Sequence, residues 1–577
     1  MEVRGSLRRR FERKTALILG GFILLNIVAL LRVLDLQITK KSDIAKKIEE
    51  RFDRVITTKV PLYRGSIKDR NGRELALSVP TLTVYVHPNT RYLRNRDEFV
   101  KGLSSITGVP RKAIERRLDE GSGRPVKLLS GVSRDLKGRI RDLIVRTGNA
   151  PFVGIQEDYT RVYPNGTLAS NLIGFVGVDG VGLEGMEFAL NRYLGGGFTE
   201  TIVYMNGGLG QIYLNPLKGS IGEENDVVLT LDLGVQHLIE RIRDEIVKRW
   251  KPKKVSILVM DLSNGHILGL ATYPYFDPNK FHRYRAEVRR NFAVTDVFEP
   301  GSIMKPFFVG WALEKGYVRE DTIIDTGKGR IRVYDRFVRD PRRLGRIRLD
   351  EVLIYSSNVG TIKVASFLSR KDVEELLEIF HLKGRFGIFP GEANPLIPDF
   401  SYPANILYAS IGQGIAMNTL NIAVAFGGLL AGYIVQPHIV KEIVSPTGEV
   451  VYRARKRILK DRILSERTVN WLRKALVGVV ERGTGKRARS RYFTIAGKTG
   501  TSQKFDPKEG RYSKDRVVTY FAGVFPASDP RFVGVIVVDE PRGKKLYGGE
   551  VSAPYFRKLA ENVAFYYGLK PDKVKKR

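Results

Sequence analysis

The stretch "TDVFEPGSIMKPFFVGWALEKG", Thr295–Gly316, decides how the rest of the chain fits together. Pro300-Gly301 forms a tight approach to Ser302, and an apolar, helix-like run follows Lys305. Positions i and i+3 share one face of a helix, so Lys305 is expected to lean back over Ser302. A lysine in a mostly buried helix is costly unless it is paired or neutral. Lowering its pKa by about three units, to ~7–8, makes it a general base near neutrality and corresponds to roughly 4 kcal/mol. A serine needs such a base beside it to act as a nucleophile. The blander reading is a helix N-cap serine with an unrelated lysine, since a Ser-x-x-Lys match arises about once or twice by chance in a chain of this size.

Two further signals lie downstream in order. Ser356-Ser357-Asn358 is the only Ser-x-Asn, and Lys498-Thr499-Gly500 is the only Lys-Thr-Gly. Each alone reads as a helix cap or a glycine-broken strand. Together with the only Ser-x-x-Lys, ordered and well separated, they are a strong signal. There is no G-x-S-x-G elbow, and none of the six histidines has a triad context.

This constellation resembles the penicilloyl-serine transferases, whose three motifs are S-x-x-K, S-x-N and K-T-G. The likeness covers nearly the whole chain. "RGSIKDRNGRELALS" (64–78), "RVYPNGTLASNLIGFVG" (161–177) and "GLEGMEFALNRYLGG" (182–196) are similar to the pedestal motifs of class B penicillin-binding proteins. "SIGQGIAMNTL", "AGKTGTS" and "YGGEVSAPYF" are similar to their transpeptidase domain, while "TDVFEPGS" and "SSNVG" look most like the septal, cell-division type. "GIAMNTLNIA" departs from the usual Thr-Pro-Leu-Gln run without touching a catalytic position.

The resemblance implies an α+β chain: a membrane helix, an elongated β/α pedestal, and a transpeptidase domain with an antiparallel sheet flanked by helices, as in serine β-lactamases. It implies a peptidoglycan D,D-transpeptidase that crosslinks stem peptides in septal wall synthesis and is the target of β-lactams. The alternatives are an elongation-type enzyme or a D,D-carboxypeptidase. Ser302 would attack a D-Ala-D-Ala carbonyl, with Lys305 as its base. Ser356 would relay a proton to the leaving amine, and Asn358 would bond Lys305 or the substrate amide. Lys498 would hold positive potential for the substrate carboxylate, with Thr499 and Thr501 bonding it. The N–H groups of Ser302 and Thr501 would form the oxyanion hole, and Gly497 and Gly500 would leave room for an added peptide strand. No cofactor or metal is implied. The implied partners are stem peptides, β-lactams, the membrane, and an FtsW-type (SEDS) glycan polymerase with other division proteins. The pedestal and anchor helix are expected to dock on that polymerase, with Arg64 and Glu184 near turns that pack the pedestal.

The bulk properties agree with this reading. The chain has 577 residues, 43% of them hydrophobic, and a formal net charge of +35. That length predicts more than one domain. The charge favours anionic partners, but no helix-turn-helix, zinc-finger or RNP pattern points to nucleic acid. There is no cysteine, which excludes disulfides and a thiol nucleophile. Thr15–Leu31 is an uncharged apolar run behind Arg4, Arg8, Arg9, Arg10, Arg13 and Lys14. It predicts an uncleaved single-pass anchor with its N-terminus inside and the remainder on the outer, periplasmic side. The expected divisions are a cytoplasmic tail 1–14, an anchor 15–38, a pedestal 39–220 and a transpeptidase domain 221–577.

Locally, Lys40–Arg54 predicts a polar helix, and residues 97–146 read as helical with glycine-rich breaks. Asp69-Arg70-Asn71-Gly72 and Asn264-Gly265 predict turns between strands. "VTYFAGVFPA" and "RFVGVIVVDEP" predict two buried antiparallel strands, and the tail "KPDKVKKR" a solvated basic end.

Overall fold

The computed structural model describes residues 2–35, 55–86, 90–120, 126–206, 210–214, 223–334, 336–506 and 510–573. The expected helix over 40–54 lies outside these residues. The chain forms two compact units, and both are discontinuous in sequence. The first comprises residues 1–60, 80–159 and 199–219, the second residues 61–79, 160–198 and 220–577.

In the first unit, α1 (Glu2–Leu34) contains the uncharged run. Ile18, Phe22, Leu25 and Leu30 on it are exposed. Among the described residues no helix is long and apolar enough to cross a membrane, and residues 36–38 of the expected anchor lie outside them. The rest of the unit is a small α/β layer. The second half of β1 (Glu74–Val86) continues into α2 (Arg96–Thr107) and α3 (Arg111–Asp119), then β2 (Val126–Ser133), α4 (Lys137–Arg146) and β3 (Val153–Val162). β1 pairs antiparallel with β2, Leu82 opposite Val132. Phe99 and Leu103 of α2, Leu118 of α3 and Leu143 of α4 close over Leu82, Val84 and Leu128. β2 interrupts the helical reading of 97–146. Its core-facing leucines are bought into a sheet because β1 offers a ladder, a non-local fact that charge content hides.

The second unit is built on a five-stranded antiparallel sheet. The elements that build the sheet and the site are, in chain order, α5 (Leu233–Trp250), β4 (Lys254–Asp261), β5 (Ile267–Tyr273), α6 (Lys305–Glu314), β6 (Arg330–Val333), β7 (Arg336–Arg339), α7 (Asn358–Ala365), α8 (Thr419–Ala431), α9 (Glu466–Glu481), β8 (Ala496–Asp506), β9 (Arg511–Phe525), β10 (Phe532–Asp539) and α10 (Ala553–Tyr566). The sheet runs β5-β4-β10-β9-β8, so β8 is an edge. Alternation sends successive side chains to opposite faces. Ile257, Val259, Ile536 and Val538 pack on α5 and α10 through Ile239, Ile246, Phe556 and Leu559. Leu258, Met260, Val535 and Val537 face the other layer, with Phe307, Phe308, Phe426 and Leu472 from α6, α8 and α9. α8 is buried along nearly its whole length, as a helix apolar on all sides must be.

The two expected turns are present. Gly72 and Gly265 both take positive φ, and Asp69 Oδ1 accepts from the N–H groups of Asn71 and Arg73. The two expected buried strands are β9 and β10, which pair antiparallel. The C-terminal segment is less free than expected. Asp572 accepts from Thr494, and Lys573 Nζ donates to Ser490 O, tying the segment to the domain.

Residues 61–79 and 160–198 bring an ionic knot into the second unit. Glu187 is fully buried between Arg64 and Arg161, at 2.7 and 2.8 Å. Arg64 also donates to Gly195 O and Glu187 O. Burial alone would raise the Glu187 carboxyl, but the two guanidinium groups hold it below its ordinary range. Arg64 is therefore an internal strut that ties residues 61–79 to 160–198. Glu184, half-buried, pairs with Arg289 at 3.2 Å.

Candidate active site

Ser302 lies on a single 3-10 turn, Gly301–Ile303, that leads directly into α6. Gly301 has φ +56°, which a side chain would strain. Gly412 makes the same demand from the other side: a Cβ there would lie 2.0 Å from Gly301 O. The turn is thus wedged between the 411–417 segment and β8.

Lys305 is the first residue of α6 and is fully buried. Its Nζ donates to Ser356 O (2.6 Å), Asn358 Oδ1 (2.6 Å) and Ser356 Oγ (3.2 Å). The expected link between Lys305 and Asn358 is therefore present. Burial pushes the Lys305 pKa down to about 7, with Asp340 acting the other way. A neutral amine has two hydrogens and a lone pair. Ser356 O and Asn358 Oδ1 only accept, so they take the two hydrogens. The lone pair is left for a hydroxyl donor.

Ser356 has φ +58°, a left-handed conformation for a non-glycine residue. Such strain is held only where surroundings over-determine it. Here Ser357 caps α7 through Gly360 N, and Asp340 accepts from Ser357 Oγ (2.7 Å), Asn358 N (2.5 Å) and Val359 N (3.0 Å). Asp340 was not singled out by sequence. The signal was its place before Pro341 in a basic hairpin, which gives no hint of a helix start 18 positions later.

Lys498, Thr499, Gly500 and Thr501 lie consecutively on edge strand β8. Lys498 is fully buried and its Nζ donates to Ser356 Oγ and Thr499 O, both at 3.0 Å. Burial first, and Lys305 second, push its pKa well below the ordinary lysine value. Lys498 is the residue expected to hold positive potential for a substrate carboxylate, and its burial beside Lys305 works against that charge. Two buried amines share one hydroxyl, and two full charges there would repel in a poorly solvated space. Thr499 Oγ1 pairs with Thr484 Oγ1 (2.8 Å), and Thr501 Oγ1 accepts from Gly548 N (3.0 Å), which leaves its proton to donate.

The two strand glycines serve packing. A Cβ at Gly500 would meet Pro300 O at 2.8 Å, and one at Gly497 would meet the Phe521 ring at 2.6 Å. Alternation along β8 puts Gly500 on the face shared with Lys498 and Gly497 on the opposite face, against Phe521. They let the serine turn and β9 close on the strand. Ser302, Ser356, Asn358, Thr499, Gly500 and Thr501 all line one cleft of about 1180 Å³. The site thus gathers a hydroxyl at a helix entrance, an amine poised near neutrality, and a hydroxyl bridging two amines, beside an open strand edge. This is equipment for acyl transfer.

Residues 255–561 match the penicillin-binding protein transpeptidase domain family, and residues 59–236 match the penicillin-binding protein dimerisation domain family. Peptidoglycan D,D-transpeptidase FtsI of Escherichia coli K12 is 31% identical over 565 residues, 96% of this chain and 92% of that protein. Probable peptidoglycan D,D-transpeptidase PenA of Neisseria gonorrhoeae is 30% identical over 537 residues, 91% of this chain and 88% of that protein. A crystal structure of penicillin-binding protein 3 from Mycobacterium tuberculosis complexed with aztreonam matches with a TM-score of 0.67 at 25% identity. It covers 89% of this chain and 98% of that one.

Proposed function

This chain belongs to the penicillin-binding protein transpeptidase family, and from that premise we propose that it crosslinks peptidoglycan stem peptides through an acyl-serine intermediate in septal wall synthesis. It is a serine-type D,D-transpeptidase. The observation that carries the mechanism is the fully buried Lys305, with a pKa about 7, one helical turn after Ser302.

In this reading, Ser302 Oγ attacks the carbonyl of the penultimate D-alanine while its proton passes to neutral Lys305. The N–H groups of Ser302 and Thr501 stabilise the oxyanion. The proton then moves through Ser356, which bridges Lys305 and Lys498, to the departing D-alanine amine. An amine from a neighbouring stem peptide attacks the acyl-enzyme and returns Ser302. Thr501 and Thr499 bond the substrate carboxylate, Asn358 orients Lys305, and the backbone at Gly500 runs beside the added peptide. Lys498 keeps Ser356 in place. β-Lactams acylate the same serine.

We place the tail at 1–14, a single-pass anchor at 15–38, the pedestal at 39–220 and the transpeptidase domain at 221–577. The apolar, exposed residues of α1 and the basic residues before them support an anchor with its N-terminus inside and the catalytic domain outside. The pedestal and anchor are the parts offered to an FtsW-type polymerase.

The test is the mass of the protein after penicillin treatment, with the adduct mapped to Ser302. An adduct elsewhere would sink the nucleophile assignment. D-Alanine release from a synthetic stem peptide, measured with and without an acceptor amine, separates transpeptidation from carboxypeptidation. Protein lacking residues 1–38 should be soluble and still react with penicillin; persistence in the membrane fraction would point to another membrane contact.

A further inference from the structure

The β6–β7 hairpin and the segment after it carry a density of cations that the acylation chemistry does not use. Lys328, Arg330, Arg332, Arg336, Arg339, Arg342, Arg343, Arg346 and Arg348 fall within 21 positions. The pairing sorts the hairpin into two faces. Arg330 lies opposite Arg339, Ile331 opposite Val338, and Arg332 opposite Phe337. Opposed residues of an antiparallel pair share a face. Ile331, Val333 and Val338 face inward onto Ile362 and Ile411. The outer face is therefore Arg330, Arg332 and Arg339 around Phe337. All four are exposed, with the Arg330 guanidinium 5.7 Å from the Phe337 ring centre.

Like charges directly opposite each other destabilise a strand pair, and a two-stranded hairpin is marginal to begin with. The hairpin nevertheless places arginine against arginine. Among the described residues, Arg330, Arg332 and Arg339 form no ion pair with a carboxylate. An arrangement that costs stability and presents three guanidinium groups around an aromatic ring fits a bound anion with an apolar face.

The position names the ligand. Immediately after β7, Asp340 caps the helix that carries Asn358, and Pro341, Arg342 and Leu344 form part of the wall of the Ser302 cleft. A polymer lying on the hairpin would run into that cleft. We propose that the outer face of β6–β7 binds the acceptor: an uncrosslinked glycan strand whose stem-peptide carboxylates meet the arginines and whose sugar rings pack on Phe337. Sugar rings present C–H faces to aromatic side chains, and clustered guanidinium groups are suited to carboxylates. The inference rests on the transpeptidase reading and adds to it a site that distinguishes acceptor from donor.

The experiment uses the full chain in detergent with a small synthetic D-alanyl-D-alanine peptide as donor. Two acceptors are compared, uncrosslinked glycan strands and glycine amide. The variants are Arg330→Thr with Arg332→Thr, and Phe337→Thr. Each should keep penicillin acylation and transfer to glycine amide. Transfer to glycan strands should fall about five- to tenfold and lose most of its salt sensitivity, as expected when several exposed charge contacts are removed. The double arginine variant should melt no lower than the parent, since it relieves the Arg330–Arg339 opposition. A structural role would instead lower melting and both transfers together. Unchanged transfer to glycan strands in both variants overturns the proposal. So does loss of binding to vesicles of anionic phospholipid with strand transfer intact, which would assign the face to the membrane. If the parent itself releases no D-alanine, the transpeptidase reading fails first, and the two failures are distinguishable.

Discussion

Two places in the second unit bury cations completely, and they handle the charge in opposite ways. Around Glu187, Arg64 and Arg161 are permanently charged and are held by one carboxylate plus backbone carbonyls. Around Ser356, Lys305 and Lys498 have only neutral acceptors within reach, and burial lowers both pKa values. Arginine cannot shed its proton in a protein, whereas lysine can. The first arrangement fixes a charge to hold segments together. The second keeps a charge marginal so that a proton can move. Two carboxylates in place of neutral acceptors would have restored the lysine charges and removed the base.

The sharpest way to break this comparison is at Ser302 and Lys305. Ser302→Ala should remove covalent penicillin labelling by several powers of ten with little change in melting temperature. Lys305→Arg should cost about 10²–10⁴ in acylation rate, nearly as much as Lys305→Ala, because the group can no longer accept a proton. An arginine variant that acylates at the parental rate would make Lys305 an electrostatic anchor.

The arginine knot should fail in the other currency. Glu187→Gln leaves two buried guanidinium groups short of a counter-charge and should destabilise the fold by about 3–5 kcal/mol. The surviving folded fraction, measured at low temperature, should still acylate. If acylation per folded molecule collapses as well, the two regions are coupled in a way their separate bonding does not indicate.

The pH dependence of acylation sharpens the comparison further. The rate should rise through about pH 7 as Lys305 loses its proton. The sign for stability follows. Between pH 7 and the unfolded lysine value the unfolded chain binds the extra proton, so stability rises with pH across that window. Below pH 7 the cost of burying the ammonium is fully present. A flat rate profile from pH 5 to 9, at constant protein integrity, would remove Lys305 as the base. The smallest effect should come from Asp340→Asn. Asp340 raises the Lys305 pKa, so its neutralisation should move the rising limb to lower pH, by less than about one unit at this partly screened distance. It should also cost part of the α7 cap, roughly 1 kcal/mol. A shift to higher pH would contradict the electrostatic assignment.

The sequence by itself determined the chemistry-bearing residues and the local frames that hold them. Ser302 and Lys305 are tied by helical spacing, Lys498 to Thr501 by strand alternation, and the turns at Gly72 and Gly265 by dipeptides that favour positive φ. These are short-range relations, fixed by backbone geometry within a few residues. Tertiary structure alone decided where each polar atom points. Lys305 reaches Ser356 and Asn358, 51 and 53 positions away, and Lys498 reaches Ser356 across 142. It made Arg64 a buried strut and Gly500 a packing glycine, and recruited Asp340 to cap a distant helix. It also assembled the second unit from three separate stretches of chain. The physical reason is that burial and hydrogen-bond satisfaction are settled between segments that meet only when the core closes. Spacing along the chain carries no record of those partners.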